Sequence, residues 1–322
     1  MSVSAQRVAI VGGGAVGQVY GLHLLAGGAE VTYFVRERYV DELRAGTTLH
    51  ALPRGGSRKL VPTHVRADMA GLAEGFDQVW LCVPTNALTS GALDTVLAAV
   101  ARAERSSLVC MLPGMQVRAL LDEHVPRARV VDGMIGMIAY EAPLPGEQLA
   151  PGTAYVLPRL SPSKFSGNEP ARVRAVTQLL RAGGCPAGEV KDARVSLAFS
   201  SCAMMPMVVA LEGAGWRFGS LRQGDWLTLA AGAAREALTL TGAELGVPVP
   251  WFRPLLRRPL FSLISYGAGW LAPFDAEVYL EHHFTKVGEQ TRLMIRGYLD
   301  GAAQRGLPST HIAELNQRVF GG

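Results

Sequence analysis

The chain of 322 residues has almost no lysine: all but four of its 31 cationic side chains are arginine, the exceptions being Lys59, Lys164, Lys191 and Lys286. The arginines are scattered through helices and loops. The densest cluster, Arg253, Arg257 and Arg258, lacks aromatics in a base-stacking arrangement, so at a net charge of +4 no nucleic-acid partner is expected. Cysteine is equally scarce. Cys82, Cys110, Cys185 and Cys202 occur singly, with neither CxxC spacing nor a neighbouring histidine cluster, which excludes a disulfide framework and leaves buried thiols in a reducing compartment. Long apolar runs are missing too. The stretches 202–215 and 260–274 are too short, or too interrupted by glycine and proline, for the roughly 20 apolar residues of a membrane span. The opening MSVSAQRVAIVGGG lacks a basic leader followed by an apolar core and a cleavage site. The expectation is a cytoplasmic protein with no membrane partner. Charged residues make up only 18% against 49% hydrophobic, which excludes a disordered chain, and the length calls for two domains.

Arg7 to Val11 is a short β-rich run, Gly12 to Gly17 a glycine turn, Val16 to Gly28 a helix-length segment, and Glu30 to Val35 a second strand. Strand-like runs recur at 78–83, 107–112 and 129–138, separated by helical stretches at 40–44, 87–105 and 117–124. This alternation predicts a Rossmann-type doubly wound parallel sheet, hence an α/β fold. From Leu149 the pattern becomes turn-rich, with SPSKFSGNEP reading as a loop before a helix at 171–182. Beyond Gly188 to Asp192 the apolar spacing is helical only, over 194–211, 226–245, 259–271 and 276–304. We therefore expect a dinucleotide-binding domain over 1–190 and an all-helical domain for substrate and dimerisation over 191–322.

Gly12, Gly14 and Gly17 form GxGxxG directly after a strand and at the start of a helix. In that setting the first glycine makes the tight turn, the second lets a pyrophosphate approach, and the third allows close helix packing. The helix N-terminus, with Ala15 and Val16, presents unpaired N–H groups to the phosphates. The second strand ends at Val35 followed by Arg36, where an NAD enzyme usually carries an acid. A guanidinium suits the 2′-phosphate of NADPH, with Arg38 able to share it, although Glu37 stands one residue on. The loops Val83-Pro84-Thr85-Asn86 and Pro113-Gly114 should line the cofactor crevice.

These features, with FVR closing the second strand, PGTAYV, and the final AEVYLEHHFTKVGEQTRLMIRGYLDGAAQRGLP, resemble the ketopantoate reductase family over nearly the whole length. The resemblance implies that family's fold, NADPH use, hydride transfer to a 2-keto group and a homodimer, the last through the apolar 260–270 segment. The chain departs at the catalytic positions. Where the family has a lysine after the fourth strand, an asparagine before the glycine after the fifth, and a lysine and an asparagine on the first helix of the second domain, this sequence has Pro84, Pro113, approximately Ser200 and approximately Met204. No lysine lies between Lys191 and Lys286.

Carbonyl reduction still needs a proton donor and an orienting group. Tyr279, His282 or His283, and Lys286 recur at i, i+3 or i+4, and i+7, on one helical face. Glu277 aligns roughly with a family acid that binds substrate hydroxyl, and Ser200 could hydrogen-bond a carbonyl. Adjacent His282 and His283 diverge by about 100° on a helix, so no metal site is expected. The CAMMPMVV run suggests an apolar pocket wall. The expected function is an NADPH-dependent reductase of a carbonyl or imine in a bulkier or less polar substrate. The rival is a non-redox or catalytically silent dinucleotide binder.

Overall fold

The computed structural model describes residues 5–84, 93–112, 115–158, 160–286 and 288–321. Thr85, Asn86, Pro113 and Gly114, expected beside the cofactor, lie outside them. The chain divides into two compact units, Met1–Pro143 with Gln148–Ser196, and Leu144–Glu147 with Leu197–Gly322.

The first unit runs β1 (Arg7–Val11), α1 (Ala15–Ala26), β2 (Glu30–Phe34), α2 (Val40–Ala45), β3 (Thr47–Ala51), β4 (Gly56–Leu60), β5 (His64–Arg66), β6 (Gln78–Leu81), α3 (Asp94–Arg102), β7 (Ser107–Cys110), α4 (Met115–His124), β8 (Val130–Met134), β9 (Ile138–Ala142), β10 (Gly152–Val156), β11 (Ser163–Gly167), α5 (Pro170–Ala182) and β12 (Ala187–Glu189). Its main sheet has the order β12-β11-β8-β7-β6-β1-β2-β5 and is parallel except where β11 meets β8. Burial on both faces explains the unbroken apolar runs in β1, β6 and β7. Val8, Ile10, Val31 and Tyr33 belong to one core, and Ala9, Val11, Phe34 and Leu81 to the other.

A second sheet, β4-β3-β10-β9, covers α1. Gln18 of α1 accepts a hydrogen bond of 2.6 Å from the Thr153 hydroxyl, and His23 meets the Tyr155 ring edge-on. The helix is therefore buried on two sides, which accounts for its high apolar content.

The SPSKFSGNEP segment is not a loop. It contains β11, whose Phe165 and Ser163 are buried. Ser163 disguises the strand because it is polar yet satisfied: its Oγ bonds the Tyr20 hydroxyl at 2.8 Å and accepts from the Gly136 N–H at 3.2 Å. The run at 129–138 is two strands, β8 and β9, separated at Gly136, where a Cβ would lie 2.2 Å from the Ser163 nitrogen.

The second unit is helical, with α6 (Ala193–Gly213), α7 (Phe218–Arg222), α8 (Trp226–Leu245), α9 (Arg258–Leu271), α10 (Ala276–Lys286), α11 (Gly288–Arg305) and α12 (Thr310–Phe320). The division between units falls inside α6 rather than in the Gly188–Asp192 turn. Asp192 caps the first turn of α6 through the N–H groups of Arg194 and Val195, and Arg194 pairs with Asp132 of β8 at 3.5 Å. Alanines of α8 let its neighbours pack closely around Ala230, Ala234 and Leu238, with Val209, Ile295, Ile312 and Leu315 completing a core at 1% exposure or less. Glu236 of α8 caps α12, accepting from the N–H groups of His311 and Ile312.

By length and composition α6 can cross a bilayer, because it extends nine residues N-terminal to the apolar run at Cys202. Its Cys202, Met205, Val208, Val209, Ala210 and Leu211 are instead buried in the helical core.

Candidate active site

Where the strand order departs in both directions, between β1 and β6, an open α/β sheet leaves a crevice at its carboxyl ends. The glycine turn sits there. The Cys82 N–H donates to Val11 O at 2.9 Å and the Gly12 N–H to Phe34 O at 3.0 Å, so the turn is tied to both flanking strands. Gly12 has φ +107°, and a Cβ on it would stand 2.4 Å from the Cys82 carbonyl oxygen, which fixes glycine there. A Cβ on Gly17 would stand 2.6 Å from Gly12 O, so only glycine lets α1 approach the turn this closely.

Gly14 is different. It is the exposed N-cap of α1, and a Cβ there would meet nothing within 4 Å. The space beside it faces the N-terminal N–H groups of α1, including those of Ala15, Val16 and Gly17, which have no intrahelical acceptors. This geometry fits an anion such as a pyrophosphate.

Three side chains hold the turn and were not singled out in the sequence. Gln18 donates from Nε2 to Gly13 O at 2.8 Å, Tyr33 donates its hydroxyl to Gly17 O at 2.7 Å, and Thr153 anchors Gln18 from the second sheet. The alternation of β2 is a signal for Tyr33; nothing local marks Gln18.

At the end of β2, Val35 is buried and Arg36 and Arg38 are exposed. Both guanidinium carbons lie over the Tyr39 ring, at 5.2 and 4.8 Å, and Arg36 donates to the Tyr39 hydroxyl at 3.4 Å. Tyr39 thus gathers two cations at the place where a dinucleotide's adenosine ribose lies in this fold. Val83 is half-buried and its Cγ1 would stand 3.0 Å from a Cβ on Gly12, while Pro84 is exposed. Burial pushes the neighbouring Cys82 thiol up to about 12, with Cys110 adding to the shift, so it is unreactive at neutral pH.

In the second unit, Ser200 is exposed on α6, and Met204, one turn on, is 52% exposed. Tyr279 and His283 of α10 stack with centroids 5.5 Å apart and planes 24° apart. Burial pushes the Tyr279 phenol up to about 12. Burial, then the charges of His282 and Lys286, holds His283 below its ordinary range, so its imidazole is neutral at pH 7. Glu277 is engaged within the fold: it accepts from the Phe218 N–H at 2.5 Å and pairs with Arg217 at 3.2 Å. Tyr279 and His283 are brought together on α10, and His282 and Lys286 belong to the same helix.

The model of the family ketopantoate reductase PanE/ApbA matches residues 8–153. No curated protein matches the chain. Among solved structures, the ternary structure of D-mandelate dehydrogenase with NADH and anilino(oxo)acetate is 14% identical at a TM-score of 0.71, covering 98% of this chain and 97% of that one. A putative ketopantoate reductase from Ralstonia solanacearum is 18% identical at 0.70, with 98% and 97% covered. The 2-dehydropantoate 2-reductase from Geobacter metallireducens is 15% identical at 0.69, with 97% and 98% covered. Residues 8–153 thus match the ketopantoate reductase family model, and the chain as a whole has the fold of these solved structures.

Proposed function

We propose that the protein is a nicotinamide-dinucleotide-dependent reductase of carbonyl or imine groups, with NADPH as its cofactor. The observation that carries this reading is the open space at Gly14, in front of the unpaired N–H groups of α1 and with Arg36 and Arg38 gathered on Tyr39. The N–H groups of Ala15, Val16 and Gly17 would hold the pyrophosphate, and the two guanidiniums the 2′-phosphate. Val83, Pro84, Thr85, Pro113 and Gly114 are assigned to the remaining cofactor wall.

When bound, the dinucleotide supplies a hydride from its reduced nicotinamide. The chain must supply the proton that neutralises the oxygen or nitrogen left by that hydride. Lys286 is assigned this task. Tyr279 is too weak an acid and His283 carries no proton to spare at pH 7. Ser200 is suited to hydrogen-bond the acceptor carbonyl. Glu277, with both oxygens engaged by Phe218 and Arg217, acts by fixing the start of α10.

A second copy of the chain is the proposed partner. Leu263, Ile264, Tyr266, Trp270 and Leu271 of α9 are exposed together, Trp270 at 85%. An apolar face of this kind marks an interface rather than a solvated helix.

The cofactor reading is tested by equilibrium titration of NADPH and NADH fluorescence. Arg36→Ala should weaken NADPH at least tenfold and leave NADH within twofold, since only the former has the phosphate a guanidinium grips. Equal losses for both would remove the 2′-phosphate assignment.

A further inference from the structure

The connection from β5 to β6 is short. Parallel strands are usually joined by a full helix that covers the sheet, whereas residues 67–77 hold only a six-residue 3₁₀ helix, Met69–Glu74. Its Leu72 and the following Phe76 join the core over Ala9, Val11 and Phe34, with Phe76 meeting Phe34 edge-on at 5.7 Å. The same face is left uncovered nearer the start of the strands, and a cavity of about 610 Å³ opens there. That volume falls within the roughly 300–1,000 Å³ of small-ligand sites.

The cavity wall is polar. Arg7 and Glu30 are register partners at the first positions of β1 and β2, and Thr32, two residues along and on the same face of β2, pairs with His64 of β5. Arg66 of β5 closes one side and is neutralised by Glu74 at 2.5 Å. Two charges are left without a counter-ion among the described residues. The Arg7 guanidinium lies 5.0 Å from the Phe76 centroid and donates to the Glu74 carbonyl at 3.3 Å, but it meets no carboxylate, and the exposed Glu30 carboxylate meets no cation. Thr32 is only 5% exposed, and its hydroxyl has no hydrogen-bond partner among the described residues. A hydroxyl taken from bulk water costs free energy unless something pairs with it.

A simple anion would be drawn to Arg7 and repelled by Glu30, and a simple cation the reverse. A small zwitterion satisfies both. We propose that this cavity is a binding site for a free α-amino acid, its carboxylate on the Arg7 guanidinium and its ammonium donating to the Glu30 carboxylate and the Thr32 hydroxyl. His64, Arg66 and Glu74 then face the amino acid's own side chain and select a polar one. The site is separate from the glycine turn: Arg7 starts β1 and Gly12 follows its end, with about 13 Å of strand between Arg7 and Val11.

The twenty standard L-amino acids are screened against the full chain by thermal shift at millimolar concentration. The best binder is then titrated by calorimetry beside its deaminated and decarboxylated analogues. At least one polar amino acid should bind, and each analogue should bind at least tenfold more weakly, about the worth of one charge-assisted contact. Glu30→Gln, at an exposed side chain with no ion pair to lose, should weaken the amino acid about tenfold and leave the deaminated analogue within twofold. Thr32→Val keeps the shape of the side chain and should weaken the amino acid several-fold. Saturating NADPH should leave the affinity within twofold. No binding by any of the twenty, a deaminated analogue as tight as its parent, or displacement by NADPH would overturn the proposal.

Discussion

Replacing Gly14 by alanine separates cofactor binding from folding. The backbone there, φ −73° and ψ 176°, is open to any residue, and the added Cβ meets no protein atom within 4 Å. The folded chain therefore loses only the difference between glycine and alanine at an N-cap, about 0.5–1 kcal/mol. In a chain of this size that is a melting shift of about 1–2 °C. The methyl group nevertheless occupies the space assigned to the pyrophosphate. Pushing the phosphate off one charge-assisted N–H contact costs about 1.5–3 kcal/mol, or roughly tenfold to a hundredfold in affinity. NADPH fluorescence titration and thermal melts of the two proteins measure both quantities. Gly17→Ala is the contrasting control: its Cβ would lie 2.6 Å from Gly12 O, so stability and binding should fall together. An unchanged NADPH affinity in the Gly14→Ala protein would mean that the phosphates do not lie at this turn, and the argument from the glycine geometry would fail.

Two other outcomes follow from single residues. His23 is buried, its Nδ1 donates to Gly183 O at 2.8 Å, its Nε2 has no partner among the described residues, and burial holds its pKa below the ordinary 6.5. Above that pH the group is neutral whether folded or unfolded. As pH falls through 6.5 the unfolded chain gains a proton that the folded chain refuses, so the urea midpoint should drop between pH 7.5 and 5.5, and less steeply in His23→Gln. Light scattering at micromolar concentration should give twice the 34.3 kDa chain mass, and Trp270→Asp should give one chain mass; a monomeric wild type would refute the α9 interface.

The core of the dinucleotide fold was legible because its elements announce themselves through period and punctuation. Strands β1, β2, β6 and β7 are apolar runs closed by turns, and GxGxxG stands in the strand-to-helix setting that gives the motif meaning. What escaped were elements whose burial is polar or whose partners are distant. Strand β11 hides behind Ser163 and Ser166, both buried and hydrogen-bonded, and β3 and β4 carry too few apolar residues to show a period. At the site, Arg36 was readable as a charge at a strand end. Its arrangement with Arg38 on Tyr39 was not, because it depends on the turn at Glu37–Tyr39 that folds the ring between them. The engagement of Glu277 by Arg217 and Phe218 joins residues about sixty apart, and no local pattern encodes it.

On the proposed function, this chain reduces a carbonyl or imine with NADPH and Lys286 is the proton source. The most direct test follows absorbance of the reduced nicotinamide with a panel of 2-oxo acids, ketones and cyclic imines, wild type beside Lys286→Ala. The account predicts substrate-dependent oxidation of NADPH that falls at least a hundredfold in the lysine variant while NADPH affinity is retained, within the roughly 10²–10⁴-fold range of general acid catalysis. Tight NADPH binding with no oxidation across the panel would contradict it and assign the protein to the dinucleotide binders that have left redox chemistry behind.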